Sequence, residues 1–267
     1  MEKTLVTNIT NITNTDKAST CVGDNICLAP NERLDDLEFD NLRLIQDVDG
    51  YCFTSDAVLL ANLARAGCKD TVVDFGAGSG VISILVAAKT NAKKVIGIEL
   101  QPQVASLARR NVELNHLGDK IEILTCDIAN ACDHLTAESV DVVVCNPPYF
   151  TANSGEKRLS ETVALSRHES VCDLDGIVNS ASKLLRYGGR LFLIHKSERL
   201  CEVTTSMSNH HIEPKRITFI KPKADKMADT FVVEGKKFGK SGCSIDEIVV
   251  YEPNGEMTAA AKKMYNK

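Results

Sequence analysis

No stretch of this 267-residue chain approaches the ~20 consecutive apolar residues of a membrane span, so no transmembrane helix is expected. The opening segment, MEKTLVTNITNITNTDKAST, lacks the charged-then-apolar pattern of a secretory signal, and a cytoplasmic location is expected. Cysteines are present but never clustered. The ten of them are at least six positions apart, there is no CxxC, and the six histidines form no ligand-spaced set with them. That pattern argues against a metal site or a disulfide framework. It fits small buried hydrophobes in a reducing compartment, and no metal is expected. Positive charge is slightly outnumbered overall, 31 Lys+Arg against 36 Asp+Glu, for a net charge of −5. An acidic whole argues weakly against nucleic acid, but the charge is uneven. Residues 1 to 182 hold 15 Lys+Arg against 26 Asp+Glu, whereas residues 183 to 267 hold 16 against 10. The basic C-terminal third fits either a phosphate footprint or plain solvated surface.

What is present is an alternation of strands and helices. The polar repeat NITNITNTDKAST has nothing to bury, and residues 1 to 28 are expected to be a disordered tail. LRLIQDVDGYCF (42 to 53) places two β-prone runs around Asp47–Gly50 and predicts a hairpin; SDAVLLANLARA predicts a helix capped by Ser55 or Asp56. From residue 71, apolar strands (TVVDF, KVIGIEL, KIEILTCD, SVDVVVCN, GRLFLIH) alternate with amphipathic helices. Continuous apolar strands between such helices imply a mostly parallel sheet covered on both faces. β-Prone runs at 216 to 220, 229 to 234 and 247 to 251 finish the sheet edge. The expected architecture is α/β: one doubly wound domain over 29 to 267, with a hairpin and helix (29 to 70) preceding a Rossmann-like core (71 to 267).

Three features carry chemistry. VVDFGAGSGV puts Gly76, Gly78 and Gly80 in the turn leaving the first core strand, where glycine permits a sharp turn and close approach of a ligand to a helix N-terminus. The spacing is G-x-G-x-G, one residue short of the dinucleotide fingerprint, and is weak alone. Asp74 precedes the turn, Glu99 ends the second core strand with Leu100 after it, and Asp127 follows the third. Acids after three successive strands suit a ligand that combines an amino acid, a ribose and an adenine. S-adenosylmethionine is such a ligand, and three unrelated surface acids are the competing reading.

The third feature is Asn146-Pro147-Pro148-Tyr149, which ends the strand DVVVC. Prolines cannot extend a ladder, but they stiffen the turn so that the Asn146 side-chain oxygen and the Pro147 carbonyl can face one point. Two acceptors at one point suit a planar NH₂ group. Accepting both hydrogens favours the pyramidal amine of the transition state, while Tyr149 and Phe150 offer a stacking platform for a base. The competing reading is a stiff loop with a buried Asn.

DFGAGSG, IEL and NPPY together resemble the class I S-adenosylmethionine-dependent methyltransferases that act on amino groups. ERLDDL, FTSDAVLLANLA, GIELQ, CNPPYF, SRHE, EPKRITFIKPKADK and VVYEPNGEMT are similar, in that order, to the tRNA (adenine-N6)-methyltransferases that modify adenine-37 of a valine tRNA. The likeness covers about residues 31 to 258; Phe75 stands where the family has Leu or Ile. It implies a seven-stranded Rossmann-like methyltransferase fold, S-adenosylmethionine as cofactor with S-adenosylhomocysteine as product, and a tRNA substrate. By position it implies catalytic roles for Asn146, Pro147, Pro148 and Tyr149. It likewise implies cofactor contacts from Asp74, Gly76, Gly78, Glu99 and Asp127, with Asp56 nearby. Neither DNA nor membrane is expected as partner, and the chain is expected to be a monomer or weak dimer.

Other candidates have two readings each. Arg167 and His168, in SRHE, fit a lid that touches the anticodon loop or a solvated turn. Lys215 and Arg216 fit a phosphate-tracking stripe with Lys221, Lys223 and Lys226, or solvated surface. His195 reads as a satisfied core histidine. A ribosomal RNA methylase, a protein glutamine methyltransferase and a non-catalytic RNA-binding protein are the rival functions; the last fits an intact NPPY poorly.

Overall fold

The computed structural model of the chain describes residues 20–22, 26–50, 53–147 and 173–265. Four short strands come first: β1 (Thr20–Val22), β2 (Ile26–Leu28), β3 (Glu32–Asp36) and β4 (Arg43–Asp47). Helix α1 (Ser55–Leu63) leads to β5 (Thr71–Phe75), α2 (Val81–Lys89), β6 (Lys94–Glu99), α3 (Pro102–Leu114) and β7 (Ile121–Thr125). A 3-10 turn (Ile128–Asn130) and α4 (Ala131–His134) precede β8 (Val140–Cys145). Then follow α5 (Leu174–Leu184), β9 (Leu185–Lys196), α6 (Leu200–Asn209), β10 (Ile212–Lys223), β11 (Thr230–Lys237), β12 (Ser244–Tyr251) and α7 (Ala259–Tyr265).

The large sheet has the order β12-β10-β11-β9-β8-β5-β6-β7. It is parallel from β9 to β7, with β11 antiparallel to both β9 and β10, and β12 parallel to β10. Eight strands stand where seven were expected, because β12 adds to the outer side of β10. The run 216 to 220 therefore lies one strand inside the edge.

Alternate residues of each core strand feed two apolar layers, as the two-residue period of a strand requires. Val72, Val142, Val144, Phe192 and Ile194 pack with α1, α2 and α3 on one face. Val73, Phe75, Val143, Leu191 and Leu193 pack with α5 and α6 on the other. Phe75 is fully buried there, so the larger side chain in that position fills core rather than site. At ~1.5–3 kcal/mol per fully buried large apolar side chain, these two layers dominate the stabilising side.

β3 pairs antiparallel with β4, Asp36 opposite Arg43, and Asp47–Gly50 is the turn that leaves β4; residues 51 and 52, in the second run of the expected hairpin, lie outside the described residues. Within the segment expected to be a tail, β1 and β2 pair antiparallel. The Arg110 guanidinium of α3 reaches the Cys27 carbonyl at 2.6 Å and the Glu32 carboxylate at 2.5 and 2.8 Å, tying that segment to the core.

Candidate active site

The strand order turns at β5, with β6 on one side and β8, reached by the return crossover, on the other. Such a switch point leaves a crevice at the carboxyl ends of the strands. Phe75 pairs with Ile98 and Cys145, and Glu99 with Thr125, so the next level carries Asn146, Gly76 and Glu99 side by side. At ~4.8 Å between strands, Asn146 and Glu99 flank Gly76 about 10 Å apart. Asp127 lies two residues past Thr125 and caps the 3-10 turn by accepting from Ala129 N at 2.8 Å. Asn146 is half-buried and Pro147 buried. Pro148, Tyr149, Phe150, Arg167 and His168 lie outside the described residues.

The glycine turn is built for left-handed backbone: φ is 70° at Gly76, 56° at Gly78 and 87° at Gly80, the N-cap of α2. Gly76 N and Ala77 N both donate to the Ile98 carbonyl at 2.9 Å, pinning the turn to β6. A Cβ on Gly76 would meet nothing within 4 Å, so the space over the turn is open. Glu99 is 7% exposed; one of its oxygens accepts from Gly78 N at 3.0 Å and the other from Gln101 N at 2.9 Å.

Asp74 is fully buried at the end of β5. Its Oδ2 accepts from the Ser83 hydroxyl at 2.7 Å, while its Oδ1 is buried and has no hydrogen-bond partner among the described residues. Burial pushes its pKa up to about 7; two hydrogen bonds from Ser83 oppose the rise and the Glu99 charge adds to it. A buried carboxylate oxygen without a donor costs free energy unless a ligand supplies one. The arrangement fits a cationic ligand over the glycine turn.

Three residues of this site escaped the reading of the sequence. Ser83 faces inward from an apolar helix at the start of α2, nine residues after its partner Asp74. Gly97 is the second: a Cβ there would meet Ile123 Cδ1 at 2.7 Å, Ala77 Cβ at 3.0 Å and Ser83 Oγ at 3.1 Å, so only glycine lets the turn and α2 lie against β6. Asn111 of α3, fully buried, is the third. It accepts from Ile45 N at 2.6 Å and donates to Ile45 O at 3.0 Å and to Ser79 O, inside the glycine turn, at 2.9 Å. An Asn among Ala105, Ala108 and Val112 on the apolar face of α3 was the available signal.

The remaining candidates are more dispersed. Leu100 is 41% exposed just past Glu99. Asp56, half-buried in the first turn of α1, lies near enough to Tyr265 that its charge, after burial, raises that phenol's pKa. His195 is 2% exposed, and burial, then the Arg199 charge, hold its pKa down to about 4, as suits a neutral core histidine. Lys215 and Arg216 are not brought to the crevice. Lys215 Nζ donates to the carbonyls of Lys240 at 2.9 Å and Gly242 at 2.5 Å, and Arg216 faces Asp246 of β12 at 3.6 Å. Among the described residues no cluster of three or more His, Cys, Asp and Glu could hold a metal ion, and no helix is long and apolar enough to cross a membrane.

A family model described as the methyltransferase small domain matches residues 53–213. The tRNA1(Val) (adenine(37)-N6)-methyltransferase of Shewanella halifaxensis is 30% identical over 163 residues, 61% of this chain; the chain spans 65% of that protein's length. The protein of the same name from Phocaeicola vulgatus is 28% identical over 200 residues, 73% of this chain and 81% of its own. Among solved structures, a predicted O-methyltransferase from Agrobacterium tumefaciens superposes with a TM-score of 0.65 at 23% identity, covering 79% of this chain and 95% of that one.

Proposed function

The chain belongs to the methyltransferase small-domain family, and from that premise we propose that it methylates the N6 amine of an adenine in tRNA, adenine-37 of a valine tRNA, using S-adenosylmethionine. The observation that carries the cofactor half is the unpartnered, buried Asp74 oxygen beside an open glycine turn. The names of the relatives support the substrate half.

S-adenosylmethionine supplies an electrophilic methyl group on a sulfonium; the rest is the work of this chain. Asp74 faces the donor's cationic amino group. Glu99 accepts from the ribose hydroxyls with the lone pairs that Gly78 and Gln101 leave, and Asp127 accepts from the adenine amine. Asn146 and Pro147, one strand away across the switch point, offer two carbonyl oxygens to the two hydrogens of the target amine. Those acceptors gain strength as the nitrogen becomes pyramidal and cationic, so they act mainly in the transition state. The surplus proton leaves to water after transfer. Pro148 and Tyr149 complete the motif, and Tyr149, Phe150, Arg167 and His168 are the proposed substrate contacts.

The decisive assay offers tritiated S-adenosylmethionine with total tRNA, ribosomal RNA and release factor, followed by analysis of the labelled product. Label in N6-methyladenosine from tRNA supports the proposal; label in ribosomal RNA or in protein glutamine transfers it to the corresponding rival. Asn146→Ala should lower turnover by ~10²-fold or more with cofactor affinity almost unchanged. Full turnover in that variant would refute the role of NPPY.

A further inference from the structure

At the amino end of the sheet, opposite the crevice, the chain stacks three aromatic rings in solvent. The Tyr187 and Phe238 ring centroids are 5.8 Å apart with 20° between the planes, and His211 lies 5.5 Å from Phe238 at 24°. Tyr187 is 74% exposed and Phe238 47%. Hydrophobic burial therefore does not explain the stack.

Its construction is costly and specific. Phe238 and His211 both hold left-handed backbone, with φ of 54° and 61°; histidine tolerates that region, but for a phenylalanine it is uncommon. They are joined by Phe238 N donating to His211 O at 2.8 Å. The adjacent Lys237 is 4% exposed, and its ammonium donates to Ser182 O at 2.7 Å and Leu185 O at 2.8 Å, with Glu138 at 3.1 Å. That lysine anchors the platform to the end of α5. Tyr187 belongs to the first part of β9, in the irregular stretch between Leu185 and Arg190 where the register with β8 jumps. Backbone strain spent on exposed rings points to a ligand for those rings.

The flanking charge selects the ligand. Lys183, Lys236 and Lys240 are exposed around the stack, and none has an ion pair among the described residues. Glu138 and Asp141 are already paired with Lys237 and Arg186, and Glu213, opposite Lys236 on β10, is the acid that faces the three lysines. Lysine is depleted from protein–protein interfaces, whereas exposed rings among cations are the usual platform for unpaired nucleobases and their phosphates. We propose that Tyr187, backed by Phe238 and His211, stacks an unpaired base of the RNA substrate at a second site remote from the reacting nucleotide. The proposal rests on the reading of the substrate as RNA.

Distance gives the proposal its test. Arg190, the first regular pair after the register jump, is level with Val142, four residues before Asn146, or ~13 Å along the strand. The rings lie beyond it, at the opposite end of the strands from Asn146; the unpaired bases of the target's hairpin all lie in the loop with the target, so a second unpaired base at that distance is one that the whole tRNA offers. Fluorescence anisotropy should compare a transcribed valine tRNA with the hairpin of its anticodon arm alone. Wild type should bind the whole tRNA more tightly. Tyr187→Ala should remove roughly tenfold of that affinity, the size of one lost base–aromatic stack, leave hairpin binding and turnover at saturating RNA unchanged, and be rescued by Tyr187→Phe. Phe238→Gly, which removes a ring where glycine suits the backbone, should act in the same direction. Equal affinity of wild type and Tyr187→Ala for whole tRNA overturns the platform while hairpin binding leaves the proposed function standing. Wild type that binds neither RNA refutes both. A change in the sedimentation of the protein alone on Tyr187→Ala would assign the rings to self-association instead.

Discussion

Asp74 is a strand residue by its neighbours and a site residue by its unpaired oxygen. Its raised pKa makes two opposite demands. Without ligand, the folded state favours the neutral acid. Its contribution to stability is full below the ordinary carboxylate value of 3.8 and is lost as pH rises through about 7. A cationic ligand favours the charged form and must displace the proton below that pH. S-adenosylmethionine affinity should therefore rise with pH by up to about tenfold per unit below ~7, then level off. Asp74→Asn should flatten that dependence and bind more weakly above it. Calorimetry in buffers of different ionisation enthalpy reads the released proton directly; the same slope in both proteins would remove Asp74 from the cofactor's cation.

At the scale of elements, α3 behaves toward β4 as a strand would. Asn111 clasps the N–H and carbonyl of Ile45, and Asn115 clasps those of Arg43 at 2.9 and 2.7 Å. Each side-chain amide presents one acceptor and donors, as a peptide does. The four-residue step on a helix, about 6 Å, nearly matches the two-residue step on a strand, about 6.6 Å. Asn111 alone also holds Ser79, so it couples the N-terminal hairpin to the glycine turn. Asn111→Leu should destabilise the fold by about 2–4 kcal/mol by stranding buried backbone groups, and should weaken cofactor binding as well. Asn115→Ala should cost less stability and leave cofactor affinity intact. Urea melts and calorimetry on the two variants check this; cofactor affinity that falls equally in both would make the hairpin a general support rather than a link to the turn.

The whole molecule decides which basic residues are available. β10 and β11 run past the ends of β5 and β8: Leu193 is level with Cys145 and Ile217, so Lys223 stands six residues, ~20 Å, beyond the crevice rim. Acids on β12 face the inner part of this stripe, Asp246 at Arg216 and Glu247 at Lys221, both at 3.6 Å. The outer lysines, 223 and 226, are the better phosphate ligands. Lys223→Ala with Lys226→Ala should reduce the slope of log tRNA affinity against log salt by about one per lost contact. Lys215→Ala should leave the slope alone, because its ammonium caps the 240–242 loop. A titration across salt concentrations decides; a slope lowered by Lys215→Ala and not by the outer pair would return the footprint to the inner stripe.

Periodicity and turn chemistry were local, and the sequence carried them openly. The βα alternation from residue 71, the glycine turn, the acids at strand ends and Asn146 beside β5 all follow from apolar runs, glycine spacing and the handedness of crossovers. Partnerships across the chain were not legible. That β4 is held against α3 depends on Asn111 and Asn115, some 70 residues away. That Lys215 is a loop cap depends on carbonyls 25 residues on, and that β10 lies inside the edge depends on β12. The strained Tyr187–Phe238–His211 stack joins three strand ends no periodicity connects. A sequence declares which face of an element is apolar, because burial is a property of each residue; which donor meets which acceptor is set by packing, and exists only once the chain has closed.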